Sequence, residues 1–451
     1  MPNRKKFISS TPLGHFITVV LIGGIFTAGL YLRIEMANKT VVNKPIMKDA
    51  AEYYRYAYNL GKYGVYSRQR PQQIEAATPV PDAHRPPGYS LFLLPFINIC
   101  PPQKMAGFVV LTQAIISALT ILTAFVLFRS FLSRPWALVG AFLVAISPHL
   151  VTFNIYVLTE SLFTFFLVLL GWSISAVAQN KSWPHALIAG LVLGISLLIR
   201  PTMLYFIAFL IPAFFVFFRK KRARVLAVFL IIGLGLTYGP WVLRNKLVKP
   251  VKSTLAIATI HKGMYPNLTF NNDSITYGFP NLYDPLWKQR QDMSSVLREI
   301  FRRFRNEPIE YIHWYLIGKP SMFFSWEMVV GMGDVFVYPV LTSPYHHHKG
   351  FFGLTHRVMY SLHGLLTMLA LLTSIFVWFP LTKKMLSEKG LIVARFVSLL
   401  LIYFFLVHIV GTPLPRYSVP LRPFSYGMAI LGIRLMVTEG PKYIRKTQTD
   451  T

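Results

Sequence analysis

Two carboxylates and four arginines in this sequence stand where a largely apolar chain can least easily carry charge. Asp49 opens an aromatic, Ala-containing helical segment, Asp49-Ala50-Ala51-Glu52-Tyr53-Tyr54, in the first long polar stretch, residues 47–96. Tyr53 and Tyr54 beside it could line the path of an incoming molecule. The stretch continues to Asp82-Ala83-His84-Arg85-Pro86-Pro87-Gly88-Tyr89, where paired prolines stiffen the backbone and hold flanking polar groups in place. Glu160, in Tyr156-Val157-Leu158-Thr159-Glu160-Ser161, falls about two turns into an apolar run of spanning length. Arg200, Arg244 and Arg416 each stand at the end of another such run. An acid at that depth is costly and is usually functional or paired. A single arginine at a span end can simply snorkel to lipid headgroups. As a set, these residues describe a cavity with one or two carboxylates and several guanidinium groups. A planar guanidinium matches two phosphate oxygens and an ionised carboxylate can take a proton, so the set suits a phosphate-bearing substrate and base chemistry.

The elements that position them follow from composition. Of 451 residues, 54% are hydrophobic and only 14% charged, against about a quarter charged in soluble domains. The chain reads as an all-α polytopic membrane protein. A span needs about 20 mostly apolar residues, and that template finds about ten. They cover residues 16–32, 105–128, 136–150, 153–178, 186–199, 201–218, 225–243, 358–379, 391–410 and 419–437. The first reads as a retained anchor, because it runs on without a small-residue cleavage site. The lone Cys100 excludes an intrachain disulfide framework.

A net charge of +29 would suggest nucleic acid in a soluble protein. Here the first explanation is the Lys/Arg bias of cytoplasmic loops, and the second is anionic membrane lipid, so no nucleic acid partner is expected. The short basic loops are Arg4-Lys5-Lys6, Arg129 with Arg134, Lys181, residues 219–224, Lys383 with Lys384 and Lys389, and Lys442 with Arg445 and Lys446. With ten spans all of them fall on one side. That places both termini in the cytoplasm and residues 47–96, 148–149, 200–201, 244–357 and 411–418 outside. Three regions result: a seven-span module over residues 1–243 with its first outer loop at 33–104, an outer-side helical domain at 244–357, and C-terminal spans with a tail at 358–451. Within the outer domain, residues 296–305 alternate apolar and arginine faces as an interfacial helix would. The sequon Asn267-Leu268-Thr269 and the run His346-His347-His348 carry no weight, the latter because consecutive side chains point different ways.

Several short motifs, in order and on one side, resemble the GT-C superfamily of glycosyltransferases. The branch is glycosyltransferase family 39, with the protein O-mannosyltransferases, and the lipid A aminoarabinose transferase. They are Asp49-x-x-x-Tyr53 with Ala57-x-Asn59-Leu60, Arg85-Pro86-Pro87-Gly88-Tyr89, Leu158-Thr159-Glu160, Gly190-x-x-x-Gly194 leading to Arg200-Pro201, Pro240-Trp241-Val242-Leu243-Arg244-Asn245, and Arg416-Tyr417-x-x-Pro420. Residues 265–350 match no part of the pattern.

The resemblance implies an inverting transfer of a sugar from a polyprenyl-phosphate donor to a protein, lipid or glycan acceptor. It implies a bacterial inner membrane, with the active site on the periplasmic side. Asp49 is the match to the family's acid of the first outer loop, a base or acceptor-positioning group, and Glu160 is the competing acid. Where the O-mannosyltransferases have an Asp-Glu pair, this chain has Asp49-Ala50. Arg85, Arg200, Arg244 and Arg416 with Tyr53 and Tyr89 are the expected substrate and phosphate contacts. By the same resemblance, a divalent metal ion would sit near His84 and His261. The alternative is a transporter or flippase for an anionic, phosphate-bearing lipid. It would place its charges near mid-membrane and show repeat symmetry, and no internal repeat is visible.

Overall fold

The computed structural model of the chain describes residues 12–70, 78–250, 255–266, 268, 292–329, 331–347 and 349–439. The terminal basic clusters at Arg4, Lys5, Lys6, Lys442, Arg445 and Lys446, together with Asn267, Thr269 and His348, lie outside the described residues.

The described chain is almost wholly helical. Helix α1 (Pro12–Lys39) passes through the two-residue strand β1 (Val41–Val42) into α2 (Asp49–Tyr63). Then follow α3 (Gly88–Ile99), α4 (Pro102–Arg129), α5 (Arg134–Ile146) and the short α6 (Pro148–Thr152), extended by one 3-10 turn at Phe153–Ile155. Next come α7 (Glu160–Asn180), α8 (Trp183–Ile199), a 3-10 turn (Pro201–Phe206) leading into α9 (Ile207–Phe217), and α10 (Lys220–Val248). The intervening polar region holds α11 (Leu255–Gly263), α12 (Met293–Asn306), α13 (Pro308–His313), a π turn (Trp314–Gly318), α14 (Lys319–Phe323) and β2 (Val340–Thr342). Helices α15 (Gly350–Phe376), α16 (Thr382–Met385), α17 (Glu388–Val410) and α18 (Arg422–Thr438) complete the chain. Strands β1 and β2 pair antiparallel and tie the end of α1 to the intervening polar region.

Among the described residues six helices (α1, α4, α7, α10, α15 and α17) are long and apolar enough to cross a membrane, and a seventh crossing arises if α5 and α6 form one span bent by 49°. This is an integral membrane protein. The count of ten exceeds that number because α8, the Pro201–Phe217 pair and α18 have 17 residues or fewer.

Two breaks differ from the sequence reading. The apolar run from residue 136 breaks at Ser147-Pro148, since a proline opens a new helix but cannot continue the old one. The run from residue 153 does not become helix until Glu160, which is therefore the first residue of α7 rather than two turns inside a span. Between them Gln113 of α4 donates its amide to the carbonyls of Asn154 (3.1 Å) and Tyr156 (2.8 Å). Backbone freed from a helix at membrane depth needs such partners. Arg33 does the same for the end of α5, bonding the carbonyls of Ala145 (2.9 Å) and Val144 (3.1 Å). At the other boundary, α10 continues past residue 243, so Arg244 lies within its last turns.

Helices α8 and α10 pack backbone to backbone. A Cβ on Gly190 would lie 2.1 Å from the carbonyl oxygen of Leu230, so only a glycine there allows this approach. The contact fixes α8, and with it Arg200 at its C-terminal end.

Candidate active site

The site starts at the entry to α2. Lys48 takes φ 47° and ψ −119°, a conformation side chains rarely adopt, and Asp49 follows as the first helical residue. A carboxylate in the first helical turn is favoured by the unpaired N–H groups there. Glu52, one turn on, shares that face of α2. Arg85 reaches both: Nη2 lies 2.8 Å from Asp49 Oδ1 and Nε 2.5 Å from Glu52 Oε2. It also donates to the Tyr53 hydroxyl at 3.2 Å and stacks over that ring.

Arg85 is held by the turn that carries it. The Asp82 carboxylate accepts from the Tyr56 hydroxyl and from the backbone N–H groups of His84 (3.0 Å) and Arg68 (2.8 Å). The Tyr66 hydroxyl donates to the carbonyls of Arg85 and Pro86. Gly88 ends the turn against α8, where a Cβ would lie 2.6 Å from the Leu198 carbonyl. The proline turn and Arg200 are therefore docked on the same piece of backbone.

The second half of the site is Glu160. Its Oε1 receives Arg200 Nη2 at 2.5 Å, Arg416 Nη2 at 2.9 Å and Arg416 Nε at 3.0 Å. Arg200 also donates to Thr159 Oγ1 at 2.8 Å. Arg416 uses its remaining Nη1 on Asp49 Oδ2 at 3.2 Å, so one guanidinium joins the two acids. The turn bearing Arg416 is fixed by Lys319, whose Nζ caps the last carbonyls of α17 at Ile409 (2.6 Å) and Gly411 (3.1 Å).

The two acids differ in access. The Asp49 side chain is 33% exposed and that of Glu160 is 0%. Burial would raise the Asp49 carboxyl, but Arg416 and Arg85 outweigh it and hold it below the usual range, so it is ionised at neutral pH. Asp49 can meet an incoming molecule, and Glu160 holds the arginines.

Not all the expected residues join this cluster. Arg244 is bound to the carbonyls of Asp82 (3.0 Å) and Tyr66 (3.2 Å) and stacks on Trp241, so it ties α10 to the base of the proline turn. Tyr89 is buried, donates to Gln113 Oε1 at 2.6 Å and packs edge-on against Tyr53, supporting that ring from behind. His84 sits on the turn, with its imidazole pushed below the usual value by burial and then by Arg68. His261 is buried against Tyr265. Among the described residues no group of three or more His, Cys, Asp or Glu side chains comes together to hold a metal ion. The carboxylates of the cluster already face guanidinium groups. His84 and His261 belong to no such group.

The sequence reading missed three members. Glu52 was legible from its three-residue spacing to Asp49. Lys262, next to His261, has Asp49 and Arg85 as electrostatic neighbours. Tyr338 comes from the segment without a motif, and nothing in the sequence marks it; Arg416, Asp49 and Glu160 are its neighbours.

Residues 84–241 match the protein family described as dolichyl-phosphate-mannose-protein mannosyltransferase. Among curated proteins none matches. The fold is similar to that of the archaeal oligosaccharyltransferase AglB from Archaeoglobus fulgidus. The structure in complex with an inhibitory peptide and a dolichol-phosphate aligns with a TM-score of 0.51 and 15% identity, over 96% of this chain and 52% of that one. The Archaeoglobus fulgidus oligosaccharyltransferase tethered to an acceptor peptide aligns with a TM-score of 0.53 and 15% identity, over 95% and 50%. ArnT from Cupriavidus metallidurans bound to undecaprenyl phosphate gives 0.39 and 11% identity, over 92% and 76%. The chain thus spans about half the length of the oligosaccharyltransferase structures it matches. The shared fold is the GT-C fold that the motifs imply.

Proposed function

We propose that this protein is a membrane glycosyltransferase that moves a sugar from a polyprenyl-phosphate donor to an acceptor at the outer face of the membrane, with inversion at the anomeric carbon. The observation that carries the reading is Arg416, held between a partly exposed carboxylate, Asp49, and a buried one, Glu160. Such an arrangement brings a proton acceptor within one side chain of the groups that would receive a phosphate.

The chemistry follows from that placement. The acceptor hydroxyl attacks the anomeric carbon as its proton passes to Asp49. The bond from that carbon to the phosphate oxygen breaks on the opposite face, and polyprenyl phosphate leaves with the bonding electrons. Arg200 and Arg416 neutralise the charge that builds on the departing oxygen, the kind of fixed electrostatic stabilisation that lowers barriers most. Each of Arg85, Arg200 and Arg416 pairs with a carboxylate. A bound phosphate competes for Arg416 and draws it from Asp49. The carboxylate then regains an open oxygen and a higher pKa, both of which a base requires.

The functional regions at 1–243, 244–357 and 358–451, the cytoplasmic termini and a bacterial inner membrane with the site on its periplasmic side belong to the same proposal. The testing experiment is a donor screen. Purified protein is given polyprenyl phosphates carrying different hexoses and pentoses, and release of polyprenyl phosphate is measured. Release from at least one donor, dependent on an acceptor, is expected; none from any donor would end the proposal.

A further inference from the structure

Residues 324–342 lie in the part of the chain for which the sequence offered no motif, yet they are pinned at many points. His363 bonds the Phe324 carbonyl at 2.7 Å and Arg422 donates to that of Ser325 at 3.3 Å. Asp334, at φ 45°, accepts from Trp326 Nε1 at 2.6 Å and pairs with His356 Nε2 at 2.8 Å. Asn43 donates its N–H to the Pro339 carbonyl at 3.0 Å, and β2 then pairs with β1. A loop held by side chains from α15 and α18 and by the end of α1 is built to present something.

What it presents is Tyr338. Its ring packs edge-on against Tyr156 at 5.5 Å, and its carbonyl accepts from the Tyr156 hydroxyl at 3.2 Å. Lys48, the residue that precedes Asp49, has its Nζ 5.8 Å from the ring centre. The phenolic hydroxyl is buried beside the Arg416 guanidinium, which can only donate to it, with Asp49 and Glu160 as further electrostatic neighbours, and its own proton meets no acceptor among the described residues. Glu160 Oε2 is likewise buried and meets no donor side chain among the described residues. A buried polar group left unpaired is costly, and a protein keeps one where a ligand supplies the missing partner. Burial raises the phenol above its ordinary value, so it remains a proton donor.

We propose that the Tyr338 hydroxyl donates a hydrogen bond to a phosphate oxygen of the lipid donor, alongside Arg416, and is a further binding residue of this site. The inference rests on the glycosyltransferase reading. An O–H donor next to a guanidinium is complementary to an anion with several acceptor oxygens. As the phosphate enters and Arg416 turns toward it, the hydroxyl gains the acceptor it lacks. Tyr338→Phe isolates the effect, since it keeps the ring packing on Tyr156 and removes only the hydroxyl.

The test measures binding of a short-chain polyprenyl monophosphate, and of the corresponding polyprenyl alcohol, to purified wild-type and Tyr338→Phe protein by calorimetry. A hydrogen bond to a charged acceptor predicts that phosphate binding weakens about ten- to a hundred-fold in the variant. Binding of the alcohol and the thermal midpoint should stay as in wild type. Equal phosphate affinity in the two proteins overturns this inference and leaves the glycosyltransferase reading standing. A parallel loss of alcohol binding and thermal stability overturns it too, by making Tyr338 structural. If wild type itself shows no preference for the phosphate over the alcohol, both the inference and the reading beneath it fall.

Discussion

Arg416 gives Nη1 to Asp49 and its other two nitrogens to Glu160, so one positive charge is divided between an acid that reaches solvent and one that does not. Pairing with Arg416 and Arg85 favours the ionised form of Asp49, so its folded pKa lies below that of a free aspartate, about 3.9. The base is therefore present at neutral pH and is lost only as pH falls through that depressed value. For the free enzyme, kcat/KM for the donor should stay level from pH 8 to about 5, without an acidic limb near 6. In Arg85→Gln one of the two guanidiniums is gone, and any acidic limb should move upward. A wild-type limb centred near pH 6 would instead point to a histidine. At this scale the sequence singled out Asp49, Arg85, Glu160, Arg200 and Arg416, and these side chains converge in the structure. Arg244 was misread because a charge at a span end shows its depth but not its partner, and here the partners are two backbone carbonyls.

Elements decide whether those residues meet. The proline turn at 82–88 carries Arg85, and Gly88 lets it lie flat on the end of α8, which carries Arg200. Gly88→Ala would press a methyl group against the Leu198 carbonyl, and overpacking of this kind costs about 1–3 kcal/mol. The turn should lift from α8, so transfer should fall at least ten-fold while the bulk helical content by circular dichroism stays unchanged. Normal activity in this variant would mean that the contact between turn and α8 does not set the site. The helices themselves followed from hydropathy, except between residues 147 and 159. There the run stays apolar while the backbone breaks, and hydropathy cannot register a break that distant side chains repair. The faint clue was the pair of amide side chains, Gln113 and Asn154, each alone in an apolar stretch. The break is also what sets Glu160 at a helix start, facing Arg200 and Arg416, instead of deep within a span.

For the whole molecule, the fold class was legible from composition, and the proposed orientation rests on basic loops that a count of ten spans puts on one side. Single-cysteine labelling in a Cys100→Ser background should find residues 219–224 shielded from a membrane-impermeant reagent added outside, and residues 78–82 labelled. The reverse pattern would turn the molecule over and move the site to the cytoplasmic face. The outer region was least legible, because a loop such as 324–342 is fixed by partners from α15 and α18 that no local pattern announces. All these scales meet in Asp49, which lies partly exposed between Arg85 and Arg416 and which the proposal makes the base that takes the acceptor's proton. The most direct test is single-turnover transfer with saturating donor in Asp49→Asn and Glu160→Gln. The substitution at Asp49 keeps its size and removes its charge, so rate should fall about a hundred- to ten-thousand-fold while the donor still binds. Near-wild-type turnover in Asp49→Asn beside a dead Glu160→Gln would contradict the account and hand the role of base to Glu160.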